Sequence, residues 1–286
     1  MMLSIAQALQ IGTEQCVIAD DPFADAKIDA QCLLCAVLDC NRAYLHTWPD
    51  KVLSSTQQTE FLHFIEQRQT GKPIAYILGY QNFYGYDFAV SPVTLIPRPE
   101  TEQCVDLVIA KPHIKRVLDL GTGTGAIALS IILQRPELEV LGVDFVPEAV
   151  MLAQQNAQNL APKSNISFKQ SDWFSHVDGR FDVIVSNPPY VEPDSPYLAK
   201  GDIRFEPNSA LTAAENGLAD IIRIVSEAKH YLNENGLVIL EHGHTQGTEI
   251  RQLMTQNGFT NVTTLCDYAG QPRITLGEHC TSSNPI

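Results

Sequence analysis

From Arg116 onward, short apolar runs alternate with longer stretches in which apolar residues recur every three or four positions. The runs predict strands over 116–120, 139–143, 166–170, 182–186 and 237–241. The longer stretches predict helices over 126–134, 147–160, 218–232 and 248–257. Strand and helix in alternation build a sheet whose strands run parallel. Two further strand-like runs, 261–266 and 273–276, flank a turn at Gly270, so the chain closes with a hairpin. The expected fold class is α/β: a seven-stranded, mostly parallel sheet with one antiparallel strand. The polar tail after Gly277 is expected to fray.

The first eighty or so residues carry helical spacing instead. Ser4 suits the cap of a segment over 5–11, Asp25 one through Leu38, and Asn41 a short turn through His46. Ser55 or Thr56 opens a helix bearing Phe61, Leu62, Phe64 and Ile65. Helices this short are marginal alone, so a small bundle is expected. His46, Trp48 and His63 read as surface or core residues. Tyr80, Phe83, Tyr84, Tyr86 and Phe88 then alternate with small and polar residues around Gly85, a hairpin pattern. Pro92, Pro97 and Pro99 stiffen the approach to a helix over 101–110. The expected division is a helical domain over 1–78 that docks a substrate, a hairpin and linker over 79–98, and an α/β domain over 99–286.

Composition excludes some functions. Among 286 residues, 33 acidic side chains outweigh 19 basic ones for a net charge of −14. Proteins that grip a phosphate backbone are normally basic, and the longest basic cluster here is a pair such as Lys115-Arg116, so no direct nucleic-acid partner is expected. No apolar run reaches bilayer length, and the first seven residues lack the basic start of a secretory signal. Seven scattered cysteines make no disulfide framework, which points to a cytoplasmic protein, expected to be a monomer. Cys32, Cys35 and Cys40 lie on or beside a predicted helix with no second ligand pair, and His242 and His244 have no third ligand nearby. Both groups read as packing or surface residues, and no metal is expected.

Two segments carry chemistry. The run from Phe181 to Ser186 stops at Asn187-Pro188-Pro189-Tyr190. The residue before each proline is held extended, and neither proline has an N–H to donate. The side-chain oxygen of Asn187 and the carbonyl of Pro188 can then point outward together, with the ring of Tyr190 behind them. Two acceptors and a stacking face suit a planar group bearing NH2, an amide or an exocyclic base amine. Asn187, Pro188 and Tyr190 are therefore the candidate catalytic residues, and Asn187, Pro188, Pro189 and Tyr190 the candidate substrate site.

The second segment, Val117 to Ala126, reads as a strand, a tight turn through Gly121-Thr122-Gly123-Thr124-Gly125, and a helix start. Glycines there let a ligand approach bare backbone. Their spacing differs from the G-x-G-x-x-G of NAD proteins, so no pyrophosphate needs to be held. Asp144 follows the next strand, where a carboxylate can accept both hydroxyls of a ribose, as in dinucleotide folds. Asp172-Trp173 comes right after the third strand and suits the amine and ring of adenine. A nucleoside without a diphosphate fits S-adenosyl-L-methionine better than NAD, and the sheet is accordingly Rossmann-like.

Asp119 to Gly125, Asp144 and Asn187-Pro188-Pro189-Tyr190 together resemble the class I S-adenosylmethionine-dependent methyltransferases that act on amino groups. Leu95-Ile96-Pro97-Arg98-Pro99-Glu100-Thr101-Glu102, Arg204-Phe205-Glu206-Pro207 and the order of parts narrow the resemblance to the peptide chain release factor N5-glutamine methyltransferases (PrmC/HemK), along the whole chain. The resemblance implies that Gly121 to Gly125, Asp144, Trp173 and Asn187 contact the cofactor. It also implies that Asn187 to Tyr190 hold the glutamine of a release factor's Gly-Gly-Gln motif. Arg98, Glu100 and Glu102 are candidates for shaping the cofactor pocket or a hinge. Leu211 to Gly217 and His242 depart from the commonest family pattern without touching these motifs. The rivals are an adenine-N6 methyltransferase on nucleic acid, a methyltransferase acting on a ribosomal-protein glutamine, and an adaptor with a vestigial cofactor site.

Overall fold

Along each central strand, neighbouring residues feed opposite cores. Val117 of β3 (Arg116–Leu120), Val183 and Val185 of β6 (Phe181–Ser186), and Ile239 of β7 (Leu232–Glu241) belong to one apolar cluster. Leu118, Leu120, Ile184, Val238 and Leu240 from the same strands belong to a second. That period of two, buried on both faces, is what a parallel sheet covered by helices demands. The computed structural model describes residues 2–18 and 25–280. The remaining strands are β1 (Tyr80–Phe83) and β2 (Tyr86–Ala89), which form the hairpin, and β4 (Glu139–Asp144), β5 (Ile166–Gln170), β8 (Thr260–Cys266) and β9 (Pro272–His279).

The large sheet has the order β5-β4-β3-β6-β7-β9-β8. β9 is antiparallel to both its neighbours, and the other pairings are parallel. This is the expected α/β, Rossmann-like class with one antiparallel strand and helices at the amino end. β7 starts at Leu232, earlier than expected, and β9 runs to His279, past the Gly277 where fraying was expected. Leu232 pairs with Phe181 of β6, while at the end of β9 His279, Glu278 and Gly277 pair with Gly236, Leu237 and Val238, and Lys111 Nζ holds Glu278 Oε1 at 2.9 Å. The rest of that tail, 281–286, lies outside the described residues.

The chain divides into two compact units, one comprising residues up to Tyr80 with Pro196–Glu206, the other Gln81–Ser195 with residues from Pro207 on. The expected boundaries set 79–98 apart and left 196–206 in the α/β domain; instead the latter segment folds with the helices. An ion cluster within that unit accounts for it. Arg68 is only 3% exposed, with Nε 2.7 Å from Asp29 Oδ2, Nη1 3.0 Å from Asp202 Oδ1, and further bonds to the carbonyls of Gly71 and Lys72. A buried guanidinium needs acceptors around its rim, and Asp202 supplies one.

The helical unit contains α1 (Ile5–Gln15), α2 (Ala26–Leu38), α3 (Arg42–Thr47), α4 (Ser55–Gln69) and α5 (Ile74–Leu78). Ser4, Asp25 and Asn41 cap as expected. The cap of α4 is Ser54, whose hydroxyl accepts from the Gln57 amide while the Gln57 side chain answers the Ser54 amide. α1 runs a turn beyond Ile11 because Gly12 permits close contact there: a Cβ would stand 2.8 Å from Ala30 Cβ and 2.9 Å from Phe61.

In the α/β unit, α6 (Glu102–Ala110), α7 (Ala126–Gln134) and α8 (Pro147–Leu160) pack on one face. After two one-turn helices, α9 (Asn208–Leu211) and α10 (Ala214–Gly217), the helices α11 (Ala219–Tyr231) and α12 (Gly247–Gln256) pack on the other. Among the described residues no helix is long and apolar enough to cross a membrane. Overpacking the contact at Gly12 tests the helical unit: Gly12→Val is expected to destabilise the protein by about 1–3 kcal/mol, read as a lower urea midpoint.

Candidate active site

The sheet reverses its direction of growth between β3 and β6, since β4 and β5 lie to one side and β7, β9 and β8 to the other. Such a switch point opens a crevice beyond the carboxyl ends of the strands. The register pairs Leu120 with Ser186, and Ser186 Oγ donates to the Leu120 carbonyl at 2.7 Å. Gly121 and Asn187 therefore leave the sheet side by side. Two motifs more than sixty residues apart in sequence become the two walls of one cavity of about 380 Å³.

The glycine turn is built on positive φ at Gly121, Gly123 and Gly125 (69°, 55° and 81°). At Gly125 packing demands glycine as well: a Cβ would stand 3.1–3.2 Å from Leu129, Ala153 and Phe168. Beneath the turn, fully buried Asp119 accepts the Thr122 hydroxyl at 2.7 Å, and the Thr122 amide bonds the Val143 carbonyl. Burial pushes the Asp119 carboxyl up to about 7, with the Thr122 hydroxyl acting the other way. Asp144, at the end of β4, accepts the Gly123 amide on Oδ2 and the Val146 amide on Oδ1, both at 2.9 Å. Burial raises its pKa and those amides oppose the rise. Its carboxylate, part of the cavity lining, is thus fixed in place before any ligand arrives.

Thr122, Thr124 and Phe145 also line the cavity, as do Asp172 and Trp173. Trp173 holds φ at 49° and lies beside Gly121, and its indole N–H donates to Asp220 Oδ1 at 3.3 Å. Asp172, expected to meet an exocyclic amine, is ion-paired through Oδ1 with Arg223 Nη1 at 2.7 Å. At the other wall stand Arg98, Thr101, Asn187 and Pro189. Asn187 donates Nδ2–H to Thr101 Oγ1 at 3.2 Å. Pro188 is buried, and neither it nor Tyr190 is part of the lining. Tyr190 packs with the second apolar cluster, donates its hydroxyl to Glu241 Oε1 at 3.4 Å, and accepts Gln246 Nε2 on its carbonyl.

Among the other singled-out residues, Glu102 accepts the Tyr84 amide at 2.7 Å, holding the hairpin turn, and Glu100 is exposed. His242 is buried, with Nε2 2.8 Å from Thr275 Oγ1 and Nδ1 2.8 Å from the Gly243 carbonyl. Cys32 and Cys35 sit half-buried on α2, and no cluster of metal-ligating side chains occurs among the described residues. Asp220 and Arg223 of α11 escaped the sequence reading, as did the wall residues Thr94, Phe145, Ser209 and Ala210. Asp220 and Arg223 stand three apart on one helix, a spacing that surface pairs also show, so only their partners mark them.

A methyltransferase domain family matches residues 113–275, and a PrmC N-terminal domain family matches residues 7–79. The release factor glutamine methyltransferase of Vibrio cholerae is 46% identical over 98% of this chain and 99% of its own length. The protein of the same name in Aliivibrio fischeri is 44% identical over 97% of this chain and 98% of its own. Among solved structures, a methyltransferase from Pyrococcus furiosus aligns with 80% of this chain and 100% of its own at 19% identity and a TM-score of 0.53, a likeness of fold.

The buried carboxyl under the glycine turn makes a pH prediction. In the folded chain Asp119 holds its proton up to about pH 7, against about 4 when unfolded, so its contribution to stability falls as pH rises through that window. Asp119→Asn keeps the acceptor for Thr122 and removes the titration. The variant is expected to lose less stability than the parent between pH 5 and 7, by up to about 1.4 kcal/mol per pH unit, in urea titrations at the two pH values. Identical pH slopes would place the proton elsewhere.

Proposed function

The chain belongs to the release factor glutamine methyltransferase family, and from that premise we propose that it transfers a methyl group from S-adenosyl-L-methionine to the side-chain amide nitrogen of the Gly-Gly-Gln glutamine in peptide chain release factors. The observation that carries the reading is the β3–β6 register, which brings the glycine turn and Asn187 side by side into the lining of one cavity.

The residues present fit the cofactor. Asp144 is a pre-oriented acceptor for ribose hydroxyls, the bare backbone of Gly121 and Gly123 admits close approach, and Trp173 and Phe145 offer aromatic faces to a base. Asp172, already paired with Arg223, shapes the base end through that pair. When bound, the cofactor supplies an electrophilic methyl group on a sulfonium.

An amide nitrogen is a weak nucleophile because its lone pair is conjugated with the carbonyl, so the protein's task is alignment and electronic help. Asn187 Nδ2 is committed to Thr101, which leaves Oδ1 as the end of that side chain available to accept. With the Pro188 carbonyl it receives the two N–H groups of the glutamine and holds the nitrogen in line. These acceptors strengthen as the nitrogen becomes acidic in the transition state, where stabilisation accelerates the reaction. Pro189 walls the site, and Tyr190 braces the segment from behind through Glu241. The acceptor pair would also suit the exocyclic amine of adenine; relatives named for release factors along nearly the whole chain favour glutamine. The helical unit docks the release factor, since one glutamine offers little surface for recognition.

Mass spectrometry of a release factor incubated with this protein and S-adenosylmethionine is expected to show one added methyl on the Gly-Gly-Gln glutamine; methyl label on nucleic acid with none on the release factor would refute the assignment. Asn187→Ala is expected to lower kcat about 10²–10³-fold, the loss typical of one transition-state hydrogen bond. Asp144→Ala is expected to weaken binding of S-adenosylhomocysteine about 10–100-fold by calorimetry, the worth of hydrogen bonds to a charged acceptor. Unchanged binding would remove Asp144 from the ribose site.

A further inference from the structure

The turn after β5 holds Trp173, a residue of the cavity lining, in a conformation that a bulky side chain rarely adopts. Its φ of 49° lies in the left-handed region, where such a residue is an outlier. Strain of this kind persists only where the surroundings over-determine it. Part of the support is local: Ser171 Oγ donates to the Trp173 carbonyl at 2.7 Å, and Ser175 Oγ accepts the Asp172 amide at 3.1 Å. The rest comes from α11, far along the chain.

Ile221, Ile224, Val225 and Ala228 bury one stripe of α11 in the second apolar cluster. That stripe fixes the rotation of the helix and delivers Asp220 and Arg223, one turn apart, to the cavity lining. Arg223 holds Asp172 at two points, with Nη1 on Oδ1 at 2.7 Å and Nη2 on the carbonyl at 3.4 Å. Asp220 holds Trp173, its Oδ1 accepting the indole N–H at 3.3 Å. The benzene edge of the same indole rests beside Gly121, with Cζ3 and Cη2 3.6 and 3.7 Å from where a Cβ on that glycine would stand. The ring thus spans from α11 to the glycine turn, and Asp220, Trp173 and Gly121 all line the cavity. An indole has one N–H and no acceptor, so a single bond decides which way round it lies. Turned over, the ring would carry its N–H away from Asp220, and a ligand filling the cavity would cover an unpaired donor, which is costly.

We infer that Asp220 is a positioning residue for the cofactor: by accepting the indole N–H it fixes the plane of Trp173 beside Gly121, and so sets the aromatic face offered to the base. The inference rests on the reading of this cavity as the S-adenosylmethionine site. What the indole N–H requires is an acceptor oxygen, so the charge of Asp220 is dispensable and its oxygen is not. An acid that merely stabilised the start of α11 would act in the same way whatever stood at position 173.

The test uses the full chain carrying Trp48→Phe, since Trp48 and Trp173 are its two tryptophans and the substitution leaves Trp173 as the reporter. Asp220→Asn, Asp220→Leu, Trp173→Phe and the double variant Asp220→Leu with Trp173→Phe are compared in that background. S-adenosylhomocysteine affinity is measured by calorimetry and the Trp173 indole N–H resonance by ¹⁵N NMR. Asp220→Leu is expected to weaken binding about 10-fold, the lower end of what a hydrogen bond to a charged group is worth, and to move the indole proton upfield. Asp220→Asn should keep most of the affinity and a resonance close to the parent's. Trp173→Phe removes the donor, so adding Asp220→Leu to it should cost no further affinity, whereas the losses of independent sites would add. Parent-like affinity or an unmoved resonance in Asp220→Leu, or losses that add in the double variant, would overturn the inference. If Asp220→Leu fails to fold, Asp220→Ala takes its place, removing the acceptor without added bulk. A parent protein that binds no S-adenosylhomocysteine would sink the proposed activity instead, and the indole resonance would still report whether Asp220 holds the ring.

Discussion

The pairing of β3 with β6 is the constraint on which the candidate chemistry depends. Parallel strands emerge at the same end of a sheet, and Leu120 opposite Ser186 brings two chain segments out level with one another. A slip of one residue would exchange every side chain between the two cores, moving Val117 and Val185 into the space of Leu118 and Ile184. Core packing thus holds the site's geometry although no core residue touches a ligand. The Ser186 hydroxyl, bonded to the Leu120 carbonyl, ties the two strands at the last position before they part.

Beneath this pair the structure keeps polar groups where apolar ones would pack more simply. Asp119 holds the glycine turn through Thr122, and Glu241 supports the proline segment by accepting the Tyr190 hydroxyl. Buried carboxyls are costly unless hydrogen-bonded; Asp119 is bonded to Thr122, which lines the cavity, and Glu241 to Tyr190, which lies behind the lining. The directionality of those bonds is what an apolar core could not supply. His242, next to Glu241, is satisfied by Thr275 and the Gly243 carbonyl, so it belongs to the packing of the sheet.

Much of this was legible in the chain before any tertiary contact. The glycine turn, the acid that ends β4 and the proline stop after β6 are local statements about backbone freedom, and each lies where its spacing predicted. What escaped was partnership. Asp172 was legible as an acid at a strand end, but its pairing with Arg223 comes from a helix fifty residues later. Tyr190 was legible as an aromatic beside the clamp, yet its ring turns into the second core and its hydroxyl to Glu241. Segment 196–206 gave no signal of belonging with the helices, because Asp202 is one surface-type acid until Arg68 is known to be buried beside it.

By itself the amino-acid sequence determined most of the elements, the caps of α1 to α3, the α/β class and the two motifs. Those features arise from interactions between residues a few positions apart, where hydrogen-bonding reach and steric limits on φ and ψ leave few choices. Only the tertiary structure decided the strand order, the level at which Gly121 and Asn187 meet, and which carboxyls lie under the site. Strand pairing, burial and ion pairing join residues far apart in the chain, and their outcome depends on how all the apolar faces are satisfied together.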